Sequence, residues 1–290
     1  MKRYIHKEGM FKVVVIDGTQ IGRDLFSTLN CSPIALQLLT QATTGAFFLC
    51  ADLKVDGVVS LKFEGPGPIG ALRVEANTLG HVRGTADDLG VHFDPEPDRG
   101  LFQQAVGVGQ LTVRRRLDKN DKVFTSVVPT SEGEIAYNLA NYLLSSEQIP
   151  SAIRLGVVLD PEQGIAGAGG IMIQGMPGAN HDMLFVLEQR LTEIADLGSC
   201  FSETDGHARV MDFLFEGIPL KHLANTEVRY FCGCSQERIL EVVQSLSTRD
   251  LKELTEADQA IEIRCNYCHK PYEVGIDHLN RLLEERGKAS

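Results

Sequence analysis

The sequence predicts an α+β protein made of an N-terminal mixed α/β sheet domain, a helical linker segment and a small C-terminal domain. Three observations carry that prediction. Short β-branched runs and two helical patterns alternate between Gly and Pro punctuation from Met10 to about Met176. The composition then shifts, and residues 179–231 hold nine acidic and four basic residues interleaved with many apolar ones. Finally, four of the seven cysteines fall in the last stretch. The expected boundaries are 1–178, 179–231 and 232–290.

In chain order, Val13-Val-Val-Ile16, Val58-Val-Ser-Leu-Lys-Phe63 and Leu72-Arg-Val-Glu75 read as strands of one sheet system, mostly antiparallel. Between the first two, Leu36, Leu38, Leu39, Ala42, Phe47 and Leu49 predict a largely buried helix from about Pro33 to Asp52. Gly65-Pro-Gly-Pro-Ile-Gly70 matches a dinucleotide-binding string, but its prolines and the following strand pattern rule out the helix that motif must open, leaving a tight turn. Ser131-Glu-Gly-Glu134 fits a capping box ahead of a helix through Ile135, Leu139, Tyr142 and Leu143, ending before Pro150. Gly164 to Gly170 has no P-loop lysine and reads as strand and loop. In 179–231, Glu188, Leu191, Ile194, Ala195, Val210, Phe213, Leu214 and Phe215 predict amphipathic helices whose apolar faces must dock on something.

Charge and composition narrow the function classes. The net charge is −11, which repels phosphate backbones, so no nucleic-acid partner is expected. The one basic cluster, Arg114-Arg-Arg116, ends a strand-like stretch and reads as a solvated strand end. Apolar residues make up 43%, and no unbroken apolar run approaches a membrane span, so no membrane partner is expected. The N-terminal basic residues precede an apolar run too short for a signal sequence, and the chain is expected in the cytoplasm. No nucleophile elbow, zinc-protease or kinase signature occurs, and the histidines are scattered; the sequence offers nothing for turnover catalysis, and a non-enzyme is expected.

The cysteines carry the chemistry. Cys232-Gly-Cys234 and Cys265-Asn-Tyr-Cys268 flank residues 235–264, so each half can supply two thiolates to one tetrahedral zinc ion. A unit of roughly sixty residues has too small a core to be secure alone, which is where a metal staple helps. Spacing alone fits a permanent structural knuckle as well as a responsive site. Two features favour response: a C-x-C pair closes only a strained, labile disulfide, and an all-thiolate site keeps sulfur in the form oxidants attack. Cys265-Asn-Tyr-Cys268-His269 also matches a haem-attachment string, but that would require export and leave Cys232 and Cys234 unexplained. Cys31, Cys50 and Cys200 stand singly and read as buried or incidental thiols.

With both cysteine pairs in place, essentially the whole chain resembles the heat shock protein 33 family of redox-regulated holdase chaperones. The specific blocks are Phe231-Cys-Gly-Cys-Ser-Gln-Glu-Arg238 with Cys265-Asn-Tyr-Cys268 and Tyr272. Gly65 to Leu72 with Glu75, Asn77, Gly80 and Val82-Arg-Gly84, then Ser145-Ser-Glu-Gln148, and Gly169-Gly170 with Gln174 and Pro177-Gly178 support them. Thr85 departs from the aromatic the family leads one to expect. The resemblance implies one Zn2+ per reduced chain on Cys232, Cys234, Cys265 and Cys268. It implies oxidation to a Cys265–Cys268 disulfide and then a Cys232–Cys234 disulfide, zinc loss and unfolding of the C-terminal region. It further implies ATP-independent binding of unfolding client proteins under oxidative stress, and a homodimer on activation. The competing readings are a binding module with a purely structural zinc site and an oxidoreductase cycling Cys265 and Cys268.

Overall fold

The computed structural model describes residues 1–117, 122–179, 181–255 and 259–289. Residues 118–121 of the expected N-terminal domain, Asn180 of the expected linker, and residues 256–258 and Ser290 of the expected C-terminal domain lie outside that description. The chain forms two compact units, Met1–Phe231 and Cys232–Ser290.

The first unit runs β1 (Lys2–His6), β2 (Phe11–Asp17), α1 (Thr19–Leu29), α2 (Pro33–Ala51), β3 (Gly57–Glu64), β4 (Leu72–Asn77), β5 (His81–Ala86), α3 (Leu101–Ala105), β6 (Gln110–Leu117), β7 (Lys122–Pro129), α4 (Ile135–Glu147), β8 (Ser151–Asp160), β9 (Gly164–Gly175), α5 (His181–Glu193), α6 (Leu197–Ser202), α7 (Gly206–Leu214), β10 (Leu220–Asn225) and β11 (Arg229–Tyr230). The strands make two sheets rather than the single system expected, in the orders β10-β1-β2-β9-β8 and β11-β5-β4-β3-β6-β7. Alternation along a strand records which residues are buried, whereas partner choice is set by packing. Only the short β11–β5 pair is parallel.

The main core lies around α2. Its N-terminus is fixed by the Ser32 hydroxyl, which accepts from the Ala35 amide at 3.2 Å, and by Pro33 in the first turn. Contrary to the sequence reading, α2 is long and apolar enough to cross a membrane, but it is mostly buried inside this unit. The five-stranded sheet is buried on both faces. Val14, Ile16 and Met172 point towards α2, whereas Phe11, Val13, Val15, Ile171 and Ile173 point to the opposite face. There they pack with Leu187, Leu191, Leu197, Phe201, Val210 and Leu214 of α5, α6 and α7. Segment 179–231 thus covers that sheet face, and its two strands, invisible in the helical periodicity, each join a sheet edge.

The glycine-rich stretch 164–170 is part of one continuous strand, β9. A Cβ on Gly167 would collide with the Gly198 carbonyl and lie 2.6 Å from the Ser202 amide nitrogen, so bare backbone lets α6 lie directly on the sheet. Gly65–Gly70 is the expected turn, held by the Gly67 amide donating to Val106 at 2.8 Å. The capping box does not form. Glu134 itself sits at the N-cap of α4 without capping it, and its buried carboxylate accepts from the Leu101 and Phe102 amides at the start of α3. Asn138 replaces it, accepting from the Ser131 amide at 2.9 Å and donating to the Gly133 carbonyl at 2.7 Å. Of the arginine cluster, Arg115 turns inward to Glu147 at 2.7 Å, while Arg114 and Arg116 are exposed.

Candidate metal centre

The second unit contains α8 (Gln236–Ser245), α9 (Thr248–Thr255), β12 (Ile261–Arg264), β13 (Pro271–Val274) and α10 (Ile276–Ala289). Its core is small: Ile239, Val243, Leu251, Tyr272, Val274, Leu279 and Leu282, closed on one side by the cysteines themselves.

Each cysteine pair sits on a turn shaped for it. Gly233 between Cys232 and Cys234 has φ of +66°, a conformation that suits glycine and lets the two flanking side chains turn to one side. The following Ser235 opens α8, accepting from the Arg238 amide at 3.4 Å, and the Arg238 guanidinium returns to the Gly233 carbonyl at 2.7 Å. The other pair occupies the connection of the β12–β13 hairpin, whose strands pair Arg264 with Pro271. The Cys265 amide donates to Lys270 at 3.0 Å and the His269 amide to Cys265 at 2.9 Å, tightening the loop around both thiols.

All four Sγ atoms of Cys232, Cys234, Cys265 and Cys268 lie within 4.8 Å of one another and could hold a metal ion. The shortest separations run between the motifs: 3.5 Å from Cys232 to Cys265 and 3.3 Å from Cys234 to Cys268. Tetrahedral zinc with sulfur at about 2.3 Å needs edges of about 3.8 Å, so the short edges must open by about half an ångström and the longest close by up to about one. Four sulfur donors with no carboxylate suit a soft or borderline ion over calcium or magnesium.

The thiols influence one another. Burial and the surrounding sulfurs push the Cys232 thiol up, and burial also raises Cys268. At Cys265 burial acts upward too, but the Cys268 and Tyr267 amides outweigh it and bring the thiol down to about 7. The Tyr272 hydroxyl donates to Cys234 Sγ at 3.0 Å, and that bond raises the tyrosine's own pKa. Sequence reasoning named Tyr272 without giving it a role; a hydroxyl-bearing aromatic four residues beyond the second motif was the available signal. The other cysteines stay apart. Cys31 and Cys50 are buried in the first unit with thiols pushed up by burial to about 11 and about 12, and Cys200 donates to the Asp196 carbonyl at 3.4 Å.

Comparison with known proteins agrees with this architecture. The family model described as Hsp33 protein matches residues 1–275. The 33 kDa chaperonin of Desulforamulus reducens is 31% identical over 97% of this chain and 96% of that protein. The 33 kDa chaperonin of Clostridium perfringens is 33% identical over 99% of this chain and 92% of its own length. In fold, the crystal structure of the 33 kDa chaperonin from Thermotoga maritima superposes with a TM-score of 0.88 at 24% identity, covering 99% of this chain and 98% of that one. The chain belongs to the Hsp33 family of chaperones.

Proposed function

We propose that this chain is a redox-regulated, ATP-independent holdase of the cytoplasm, inactive while Cys232, Cys234, Cys265 and Cys268 hold zinc and active once they are oxidised. The observation that carries the proposal is the convergence of four thiols from two distant segments at the edge of a core too small to be secure without them. A bound zinc ion would keep the four sulfurs as thiolates and cross-link the two halves of the unit. Such a site contributes on the order of 10 kcal/mol or more. A unit of roughly sixty residues has about 3 to 9 kcal/mol of total stability. Removing the thiolates therefore removes more than the unit has.

Oxidation does this in two balanced steps. The Cys265 and Cys268 thiolates give up two electrons to one peroxide, which takes two protons from solvent and leaves as two waters while the two sulfurs join in a disulfide, and the Cys232 and Cys234 sulfurs then do the same with a second. Pairing within each motif leaves the halves of the unit unlinked, whereas pairing across the motifs would staple them together. Only the first outcome unfolds the unit. Segment 179–231 is then free to lift from residues 1–178, exposing Phe11, Val13, Val15, Ile171 and Ile173 together with its own apolar faces. Surface of that kind is covered again by a non-native client or by a second activated copy of the chain.

The test measures zinc, free thiols and suppression of client light scattering on one sample, before and after peroxide with mild heat. Loss of one zinc and four thiols with suppressed scattering is expected. Zinc retained, or lost without suppression, would leave a structural zinc module. Cys232→Ser and Cys268→Ser should weaken zinc retention while Cys31→Ser and Cys50→Ser leave it unchanged.

A further inference from the structure

The six-stranded sheet ends on β7, and this edge is built differently from the others. β11 is only two residues long, and the pairings that join β10 to β1 and β8 to β9 each contain a register shift. Irregular or very short edges discourage pairing with foreign strands. β7, in contrast, pairs with β6 over eight residues with no shift.

The register identifies which groups face outwards. Gln110 pairs with Pro129, and the Thr130 amide donates to the Gly109 carbonyl at 3.0 Å. In an antiparallel pair hydrogen-bonded residues alternate, so residues 128, 126, 124 and 122 bond to β6, whereas Val127, Thr125 and Val123 aim N–H and C=O away from the sheet. Pro129 falls in the outward set, where its missing N–H costs the ladder nothing. Among the described residues nothing pairs with this edge.

Its side chains point to a particular partner. On the face shared with Arg115, where α4 packs through Glu147 and Tyr142, Phe124 is 55% exposed. On the opposite face β7 presents exposed Val123, Thr125 and Val127, and behind them on β6 Arg116 and Arg114 are exposed and carry no ion pair among the described residues of this otherwise acidic protein. An added strand would thus meet apolar side chains of β7 on both faces, with two guanidinium groups within reach behind those of one face.

We propose that β7 is a strand-addition edge that takes an extended non-native polypeptide segment, in which apolar residues alternate with acidic ones, as a seventh strand of this sheet. This inference rests on the holdase reading and names the client chemistry that one of its surfaces selects. Main-chain bonds supply attachment, and the alternate side chains supply preference.

The experiment measures fluorescence anisotropy of a labelled peptide of alternating Val and Glu, titrated with the full chain, reduced and peroxide-treated. Saturable binding to the treated chain is expected, with binding lost when alternate peptide amides are N-methylated and much weaker for a Val/Lys peptide. Val127→Pro removes one outward N–H at the kind of position Pro129 already occupies, and should weaken binding about fivefold. Arg114→Glu with Arg116→Glu should turn the preference towards the Val/Lys peptide. Undiminished binding of the N-methylated peptide, or affinity and preference unchanged in both variants, overturns the proposal. So does self-association lost in Val127→Pro without any peptide binding, which assigns the edge to a second copy. Scattering by an aggregating client in the same samples keeps the two readings apart. A chain that suppresses scattering but ignores the peptide backbone overturns strand addition alone, and one that does neither overturns both.

Discussion

At the scale of single residues, the Tyr272 hydroxyl donates to a metal-site sulfur, Cys234, at 3.0 Å. A bond of this kind orients a ligand and moderates its charge, and losing such a partner typically costs ten- to a hundredfold in metal affinity. Tyr272→Phe, which leaves the ring in the core, is expected to speed zinc transfer to a chromogenic chelator about tenfold while leaving the far-ultraviolet circular dichroism of the zinc-loaded chain unchanged. The ligand types and their spacing were legible in the sequence because metal sites draw paired donors from short motifs. The role of Tyr272 was not, since a hydroxyl reaching a sulfur 38 positions away leaves no local signature.

At the scale of elements, the packing of α6 and α7 decides how tightly the covering segment is held. Gly167→Ala puts a methyl group into the α6 backbone, an overpacking worth about 1 to 3 kcal/mol. The expected result is stronger binding of an apolar dye by the reduced chain at unchanged zinc content. α7 carries a second lever in His207, stacked near Tyr4, with Nδ1 3.4 Å from the Lys2 ammonium and a buried Nε2 that has no partner. Burial first, then Lys2 and the N-terminal ammonium, hold its pKa below the ordinary value. The free imidazole therefore binds protons more readily than the docked one, so docking is at full strength above about pH 6.5 and weakens as pH falls below it. Amide protection factors in α7, taken relative to the intrinsic exchange rate at each pH, should fall from pH 7.5 to 5.5, and His207→Asn should flatten that dependence. Helix periodicity had indicated the amphipathic elements, but the failure of the capping box at Glu134 shows its limit. A carboxylate can cap a different helix when the fold brings α3 closer than the start of its own.

At the scale of the whole molecule, the two units differ in what holds them. The first has a large core of Phe, Leu, Ile and Val around α2 and between its sheets, whereas the second relies on a few apolar side chains and four thiols. Chelation under reducing conditions is therefore expected to melt α8, α9 and α10 first and to loosen segment 179–231. Limited proteolysis should then remove residues 232–290 and cut within 179–231, with far-ultraviolet circular dichroism retaining the signal of residues 1–178. Simultaneous loss of both units would refute this division of stability.

The sequence by itself determined the class of fold, the buried helix α2, the amphipathic nature of 179–231 and the four cysteines, because each is written in local spacing that one helix face, one strand or one short turn can express. Only the tertiary structure decided that the strands divide into two sheets, that α5–α7 cover the face of Phe11, Val13 and Val15, and that β7 is left as a regular open edge. Partner choice between distant strands depends on which surfaces can be buried together, and that balance involves the whole chain rather than any window of it.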